Sequence, residues 1–212
     1  MKRIGVLLRI WLLALAACAA VVAFSFAHLD APVAHYFAEL NLFLRHMKGA
    51  VGGGLLVSGE SVVLIGVVLV RLVRGRISVF SETLAIACLT SIGAYGVNDY
   101  VLKVFFGVPS PSNVLHGARH AFHFWMGSES SSFPSGHMVL AAAFAGVFMR
   151  LYRASIWALS LLLLLAAGLL IAGDWHFLSD IVAGTFFGLS AGALAAEGRA
   201  ARSGEPQRAR AG

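Results

Sequence analysis

The stretch Ile156–Ala172, with the sequence IWALSLLLLLAAGLLIA, decides the fold class of this chain. It contains no charged residue, and Ser160 is its only polar side chain. An α-helix needs roughly 17–25 predominantly apolar residues to cross the hydrocarbon core of a bilayer. The stretch therefore predicts a transmembrane helix.

The composition of the whole chain extends this prediction beyond one helix. Hydrophobic residues make up 59% of the 212 residues and charged residues only 12%, whereas soluble domains average about 25% charged residues. The chain lacks the polar side chains needed to cover a water-exposed surface, which predicts an integral membrane protein and excludes large extramembrane domains. The two cysteines, Cys18 and Cys88, lie in apolar runs, so neither a disulfide framework nor a zinc site is expected.

Six apolar runs predict six membrane spans. In chain order they are Val6–Ala27, Leu55–Leu72, Glu82–Phe106, His137–Leu151, Ile156–Ala172 and Ile181–Ala196. The fourth run is short for a span, so we expect its helix to begin inside, or just before, the serine-rich loop that precedes it. The expected fold is a single all-α domain over residues 1–212, a six-span transmembrane helical bundle whose tail, residues 198–212, is disordered.

Glycines in the last run predict how its helix packs. Gly184, Gly188 and Gly192 recur every four residues and therefore share one face of a helix. Small residues at this spacing let two transmembrane helices approach closely. We expect this face to lie against another helix of the bundle.

The lysines and arginines predict how the bundle is oriented. Twelve of the 16 lie at the N-terminus, after the second and fourth runs, or in the C-terminal tail. Cytoplasmic loops contain an excess of lysine and arginine, so both termini are predicted to be cytoplasmic. A nucleic-acid partner is not expected, because the sequence has no basic face with interleaved stacking aromatics. The four basic residues on the opposite side are Arg45, Lys48, Lys103 and Arg119.

The first run has two other interpretations. Residues 15–18, Leu-Ala-Ala-Cys, resemble a lipoprotein cleavage site, and the basic start followed by an apolar run resembles a signal peptide. The apolar run continues to Ala27, which favours an uncleaved transmembrane helix. Lipidation of Cys18 stays an open alternative.

Polar residues gather on the predicted external side. They follow the third run, fill the loop from residue 107 to residue 136, and lie at the starts of the fourth and sixth runs. Ionisable residues at membrane depth are costly to bury and are functional by default. We therefore expect the functional site at this face. The residues concerned are Asn98, Asp99, Lys103, His137, Asp174, His176 and Asp180.

His176 and Asp180 are four residues apart, a spacing that puts both side chains on one face of a helix start. A carboxylate in that position can accept the Nδ1 proton of the imidazole, which leaves Nε2 available to attack or to accept a proton. The same spacing also occurs in pairs that only stabilise a helix. The spacing alone leaves a structural and a catalytic interpretation open.

The segment Ser132–His137, with the sequence SFPSGH, is a more specific signal. Pro134 ends the preceding structure. The backbone N–H groups of Ser135 and Gly136 then lie at the start of the fourth helix, where the helix dipole favours an anion. His137 follows directly and is placed to protonate a leaving oxygen. The segment predicts an anion site beside a proton donor.

Residues from about 102 to 188 resemble the type 2 phosphatidic acid phosphatase superfamily, also called the lipid phosphate phosphatases. The pattern of that family has three parts, Lys-x6-Arg-Pro, Pro-Ser-Gly-His and Ser-Arg-x5-His-x3-Asp. The second part is complete at Pro134–His137. The first is represented by Lys103 and Pro111, and the third by His176 and Asp180.

The resemblance implies a reaction and a role for each residue. His176 attacks phosphorus and forms a phosphohistidine, Asp180 orients His176, and His137 protonates the leaving oxygen and then activates water. The implied activity is hydrolysis of a phosphomonoester or pyrophosphate on a lipid, without a metal or cofactor, at the external face of a cell membrane. For a bacterial inner membrane this is the periplasmic face. The phosphate oxygens are bound by Lys103, Ser135 and Gly136.

Two arginines of that pattern are absent, because Ser110 and Leu170 stand at their positions and Leu169 at the neighbouring serine position. A phosphoryl group in a partly dry site needs strong charge stabilisation. Arg119, in the external loop, can supply a guanidinium from a different position, and we include it among the substrate-binding residues. The alternative is a protein that binds or transports lipid phosphates on the same scaffold without cleaving them.

Three histidines of the external loop have several interpretations. Their spacings of four and three residues can line one helical face and bind a metal, or supply cations to the phosphate when protonated. The neighbouring aromatic residues favour a third interpretation, a segment anchored at head-group level. The family resemblance implies chemistry without a metal. The histidines are His116, His120 and His123.

The distribution of basic residues generates a testable prediction about orientation. An epitope tag inserted after Ser128 should bind antibody on intact spheroplasts, because the loop around it is predicted to be external. A tag after Gly75, or at either terminus, should bind antibody only after the membrane is permeabilised. The opposite pattern would overturn both the orientation and the external position of the site.

Overall fold

The structure is a computed structural model that describes residues 2–40, 43, 52–128 and 130–203. Within these ranges the chain forms helices and no β-strand, which confirms the predicted all-α fold class. A π-helical turn, Asn98–Leu102, and a 3-10 turn, Arg153–Ser155, adjoin the α-helices. The α-helices are α1 (Lys2–His28), α2 (Asp30–Leu40), α3 (Gly53–Arg74), α4 (Val79–Val97), α5 (Lys103–Phe106), α6 (Pro111–Leu115), α7 (Gly136–Leu151), α8 (Ile156–Ala172) and α9 (Leu178–Ser203).

The long apolar segments make the chain a multi-pass membrane protein. Helix α7, which corresponds to the predicted fourth span, has 16 residues. At ~1.5 Å per residue it is about 24 Å long, against a hydrocarbon core of ~30 Å. The number of six spans and the orientation therefore stay predictions. Segments of the described chain that are long and apolar enough to cross a membrane are Gly5–His28, Gly53–Arg74, Val79–Leu115, Arg153–Ala172 and Leu178–Ala201.

Helix α7 begins at Gly136, and the expected start within the serine-rich loop is wrong. Ser135 is the N-cap, and its Oγ accepts a hydrogen bond from the backbone N–H of Met138 at 3.4 Å. This hydrogen bond satisfies one of the N–H groups that a helix start leaves unpaired. The short helix is accommodated because other helices surround it: α7 packs against α4, α8 and α9, and Val139 and Ala143 are completely buried.

Helices α7 and α9 approach each other backbone to backbone. A Cβ atom at Gly184 would lie 2.6 Å from the carbonyl oxygen of Ser135, and one at Gly188 would lie 2.6 Å from the carbonyl oxygen of Val139. A Cβ atom at Gly192 would likewise collide with the α7 backbone. The predicted glycine packing face is confirmed, and its partner is α7.

Two ion pairs connect the helix ends that lie away from the predicted site. Arg150 at the end of α7 pairs with Glu197 near the end of α9. Arg199 of α9 donates from Nη2 to Glu82 Oε2, at the start of α4, over 2.8 Å. The end of α4 and the starts of α7 and α9 consequently meet at the other end of the bundle. The residues expected from the sequence to form the site lie there.

The two ends of the chain can be compared with the predicted first span and the predicted disordered tail. Helix α9 continues to Ser203, so residues 198–203 of the tail that was expected to be disordered are helical. The rest of that tail, residues 204–212, lies outside the described residues. Helix α1 continues through Cys18 to His28, and its Trp11 Nε1 donates to Ser190 Oγ of α9 over 3.1 Å.

The glycine contact predicts a site-specific effect on stability. Gly188→Ala places a methyl group against the Val139 carbonyl, and we expect a loss of about 1–3 kcal/mol, the usual cost of overpacking a core. Gly168→Ala, in the middle of α8, is the matched control, because nothing lies within 4 Å of its added Cβ. Thermal unfolding in detergent, followed by circular dichroism, should show a lower Tm for Gly188→Ala alone. Equal Tm values for the two variants would contradict the close contact.

Candidate active site

A polar cavity of about 410 Å³ lies at this end of the bundle, between α4, α5, α6, the start of α7 and the residues just before α9. Two histidines and one lysine line it together with serine hydroxyl groups. A cavity with this lining, in a chain that is otherwise apolar, fits a polar head group better than an acyl chain. The lining residues are Gly53, Tyr95, Lys103, Ser110, Ser112, Asn113, Ser130, Ser131, Ser132, Gly136, His137, Trp175 and His176.

His137, His176 and Asp180 form a continuous chain of contacts at the edge of this cavity. His137 Nδ1 lies 3.4 Å from His176 Nε2, and His176 Nδ1 lies 3.4 Å from Asp180 Oδ2. With the proton on Nδ1 of His176, facing the carboxylate, Nε2 of the same ring presents its lone pair towards His137 and the cavity. This arrangement agrees with the catalytic interpretation of the His-x-x-x-Asp spacing.

The Asp180 carboxylate lies behind the two histidines and has no exposed surface. The backbone N–H of Phe177 donates to its Oδ2 over 2.9 Å. The Ser132 hydroxyl lies near both the Pro109 carbonyl, at 3.1 Å, and the Asp180 carboxylate, and it can donate to one of them at a time. These contacts orient the carboxylate towards His176.

Ser135 and Gly136 differ in the roles that the structure allows. The Ser135 N–H donates to the Asp180 carbonyl oxygen over 3.1 Å, and the residue is completely buried, so the structure does not bring Ser135 to the cavity. Gly136 lines the cavity at the first position of α7, where helix N–H groups attract anions. A Cβ atom at Gly136 would lie 2.8 Å from the Tyr95 ring, so this position needs glycine.

Lys103 lines the cavity and forms a buried ion pair with Asp99. The two atoms Lys103 Nζ and Asp99 Oδ1 are 2.7 Å apart, and the side chains are only 9% and 10% exposed. Asn98 Nδ2 donates to the same Asp99 oxygen, over 3.3 Å, and to the Pro134 carbonyl, over 3.2 Å. The π-helical turn that contains Asn98 and Asp99 thus connects α4 to the segment before α7, and such turns are frequent at functional sites.

The loop that follows α6, residues 116–128, folds back against α5. Gly107 adopts a left-handed conformation with φ of 60°, and a Cβ atom there would collide with the His123 carbonyl. Phe106 packs edge-on against Phe133 with ring centroids 5.0 Å apart, and Phe122 packs on the same ring. This aromatic packing places the serines that follow the loop at the mouth of the cavity.

Arg119 is exposed, and it is not among the described residues that line the cavity. Its contact with phosphate stays a prediction that this geometry does not support. Lys103 is therefore the one side chain with a permanent positive charge in the described lining. The sequence alone cannot reveal this, because the position of a loop residue depends on how the loop folds.

The three loop histidines do not form one cluster. His116 Nδ1 contacts the Ser112 carbonyl at 2.6 Å, His123 Nδ1 contacts the Gly107 carbonyl at 3.2 Å, and His120 stacks on Phe26 with centroids 4.1 Å apart. Burial lowers the pKa of the His120 imidazole, which disfavours its use as a cation. In the described part of the chain no three His, Cys, Asp or Glu residues are placed to hold a metal, and residues 116–123 do not form the expected helical face.

Several residues of the cavity were not expected from the sequence. Tyr95, Asn113 and Trp175 approach the cavity through the fold, with no local motif to indicate them. The sequence does indicate the serines, because they are unusually frequent between residues 110 and 132 for an apolar chain. That density indicates a hydrogen-bonding surface, which is the role it has in the lining.

The apolar helices and the polar cavity lined by two histidines define a multi-pass membrane protein with a polar cavity at one end of its helical bundle. The model of the PAP2 superfamily matches residues 83–202. This match covers more than half of the chain, and the chain belongs to that superfamily, as the resemblance indicated. Membership indicates phosphatase activity on phosphate esters. No curated protein and no solved structure matches the chain.

The cavity lining predicts that Lys103, and not Arg119, is the cation that binds phosphate. Lys103→Met should weaken binding of inorganic phosphate about tenfold to hundredfold, because hydrogen bonds to charged groups contribute ~1.5–3 kcal/mol. Arg119→Met is the matched control and should change affinity by less than about fivefold, as expected for an exposed charge. Isothermal titration calorimetry in detergent measures both.

Asp99 needs a control of its own, because Lys103→Met leaves that buried carboxylate unpaired and destabilises the fold. The double variant Lys103→Met with Asp99→Asn removes both charges and should bind phosphate as weakly as the single variant. A loss of affinity in Arg119→Met as large as in Lys103→Met would instead show that Arg119 reaches the anion.

Proposed function

We propose that this protein hydrolyses a phosphomonoester or a pyrophosphate on a lipid through a phosphohistidine intermediate. The observation that supports this proposal best is the chain of contacts from His137 through His176 to Asp180 at the edge of a polar cavity. A binding site needs no nucleophile with an orienting carboxylate, whereas covalent phosphoryl transfer does.

The first step is attack of His176 Nε2 on phosphorus. The new P–N bond forms as the P–O bond to the lipid breaks, and the electron pair leaves with the lipid oxygen. His137, protonated at the start, gives its proton to that oxygen. Asp180 stabilises the positive charge that develops on His176. The His137 and His176 nitrogens are 3.4 Å apart, so the rings must separate to admit the phosphoryl group between them.

The second step regenerates the enzyme. Neutral His137 accepts a proton from water as the water oxygen attacks phosphorus. The P–N bond breaks, inorganic phosphate leaves, and His176 returns with its Nδ1 proton facing Asp180. Lys103 and the Gly136 N–H stabilise the negative charge on the phosphoryl oxygens during both steps. No metal or cofactor takes part in this scheme.

An apolar groove supports a lipid as the substrate. The groove has a volume of about 610 Å³ and lies between α3, α4, α7 and α8. Leu56 and Leu140 line it, and each is about one helical turn from a residue of the polar cavity, Gly53 and Gly136 respectively. An acyl or prenyl chain in the groove would place its phosphate in the cavity.

We place this reaction at the external face, which is the periplasmic face of a bacterial inner membrane, because the basic residues predict that the opposite end of the bundle is cytoplasmic. Membrane lipids surround the protein, and the lipid phosphate is its substrate. Substrates that fit the proposal are polyprenyl pyrophosphate, phosphatidate, phosphatidylglycerol phosphate and a lipid A phosphate.

A second candidate function is binding or transport of lipid phosphates without cleavage. The observation that favours it is the pairing of Lys103 with Asp99 over 2.7 Å, because this pair leaves the described lining with little net positive charge. A dianionic phosphoryl group that is being transferred to a nucleophile needs more compensating positive charge than a bound anion does. The two functions differ in a single measurable product, inorganic phosphate.

The proposed roles predict a graded loss of activity. Phosphate released from the four lipids by purified protein should be abolished in His176→Ala, which lacks the nucleophile. In His137→Ala it should fall about 10²–10⁴-fold, the usual contribution of acid–base assistance. Asp180→Asn should lower it less, because the nucleophile is only misoriented.

His35→Ala is the matched control for these variants, because His35 is exposed on α2, far along the chain from the motifs. It should release phosphate at the wild-type rate. Undiminished release from His176→Ala would rule out the phosphohistidine. Binding of all four lipids without any phosphate release by the wild type would favour the second function.

A further inference from the structure

Asp30 is a buried carboxylate outside the segment that matches the family. It begins α2 and is 1% exposed. Its Oδ1 accepts a hydrogen bond from the Ser179 backbone N–H over 3.0 Å, and its Oδ2 accepts one from the Ser179 hydroxyl over 2.5 Å. The two residues are 149 positions apart. Asp30 therefore caps the first turn of α9 from another helix.

The surroundings of Asp30 keep water away from this cap. His120 packs over it with Nε2 3.7 Å from Asp30 Oδ2, and the His120 ring lies between the rings of Phe26, at 4.1 Å, and Phe177, at 4.4 Å. Burial raises the pKa of the Asp30 carboxyl above its ordinary value, and the hydrogen bonds from Ser179 oppose that rise. The positive end of the α9 dipole also favours the ionised carboxylate.

The cap acts on the residue next to Asp180. Ser179 directly precedes Asp180, whose Oδ2 accepts the Phe177 N–H over 2.9 Å and lies 3.4 Å from His176 Nδ1. A shift of the backbone at Ser179 therefore moves the carboxylate that orients His176. Since reacting groups must be held within fractions of an ångström, a displacement of about 1 Å can cost about 10²-fold in rate.

We propose that Asp30 is a positioning residue that fixes the His176–Asp180 pair by capping α9 through Ser179. As far as catalysis is concerned, the proposal rests on the phosphohistidine function proposed above. The N-terminal part of the chain, which the family model does not match, then completes the geometry of the site. Asp30 itself touches neither the cavity lining nor the reacting atoms.

The kinetic test compares acidic residues of the same helix. Asp30→Ala should lower kcat about tenfold to hundredfold and leave KM within about twofold, because the cavity that binds the substrate is unchanged. Glu39→Ala, at an exposed position of α2, is the matched control and should behave as wild type. Asp30→Asn and Ser179→Ala each keep one hydrogen bond of the cap and should show intermediate kcat values.

A second measurement does not depend on activity. In protein labelled with ¹⁵N-histidine, the His176 ring signals are identified by their absence in His176→Ala. Asp30→Ala, Asp30→Asn and Ser179→Ala should each shift these signals, because the tautomer of His176 depends on the position of the Asp180 carboxylate. Glu39→Ala should leave them unchanged. If Asp30→Ala does not fold, Asp30→Asn and Ser179→Ala still test the positioning role.

The kinetic and the NMR measurements together distinguish a failure of this proposal from a failure of the proposed phosphatase function. Shifted His176 signals in a protein that releases no phosphate from any lipid would support the positioning role of Asp30 and overturn the phosphatase function. Unchanged His176 signals in the Asp30 and Ser179 variants, with only a lower Tm, would show that the cap is merely structural and would overturn this proposal. A raised KM with unchanged kcat would also contradict it.

Discussion

The close contact between α7 and α9 is the interaction on which the candidate site depends. Glycines at 184 and 188 let the α9 backbone approach the carbonyl oxygens of Ser135 and Val139, and the Ser135 N–H donates to the Asp180 carbonyl over 3.1 Å. The two helix starts are thereby held side by side. His137 follows one start and His176 precedes the other, so their nitrogens meet. The N-terminus of α7, where Gly136 lines the cavity, also directs positive potential towards it.

Three buried acidic side chains at this end of the bundle have polar partners, because an unpaired ionisable group at membrane depth is costly. Asp99 pairs with Lys103, and Asp180 contacts His176. Asp30 accepts both hydrogen bonds of Ser179. The Asp180 and Asp30 contacts lie at the start of α9, and the Asp99 pair follows α4, which packs against both α7 and α9.

The family resemblance implies that His137 acts together with His176 and Asp180. Local patterns in the sequence predict the all-α fold and the glycine face, because both follow from composition and periodicity. They do not predict the Asp30 cap, since residues 30 and 179 share no local pattern and meet only in the fold. The position of Arg119 is missed for the same reason. The start of α7 is not predicted correctly because the expectation extended a helix that looked too short to span a membrane. The structure keeps this helix short and buries it among other helices.

Ser110 and Leu170, which the resemblance aligns with arginines of the family pattern, have other contacts in this chain. The Ser110 hydroxyl accepts the Asn113 N–H at the start of α6, and Leu170 belongs to the apolar core around Trp175. Neither position retains a charge that can face the cavity. In the described lining, the sources of positive potential are therefore Lys103, the start of α7 and any histidine that gains a proton. A site of this kind would stabilise an anion through one lysine and fixed helix dipoles, and such dipoles need no reorganisation during the reaction. It consequently depends more on the exact placement of its helix starts than a site with two guanidinium groups would.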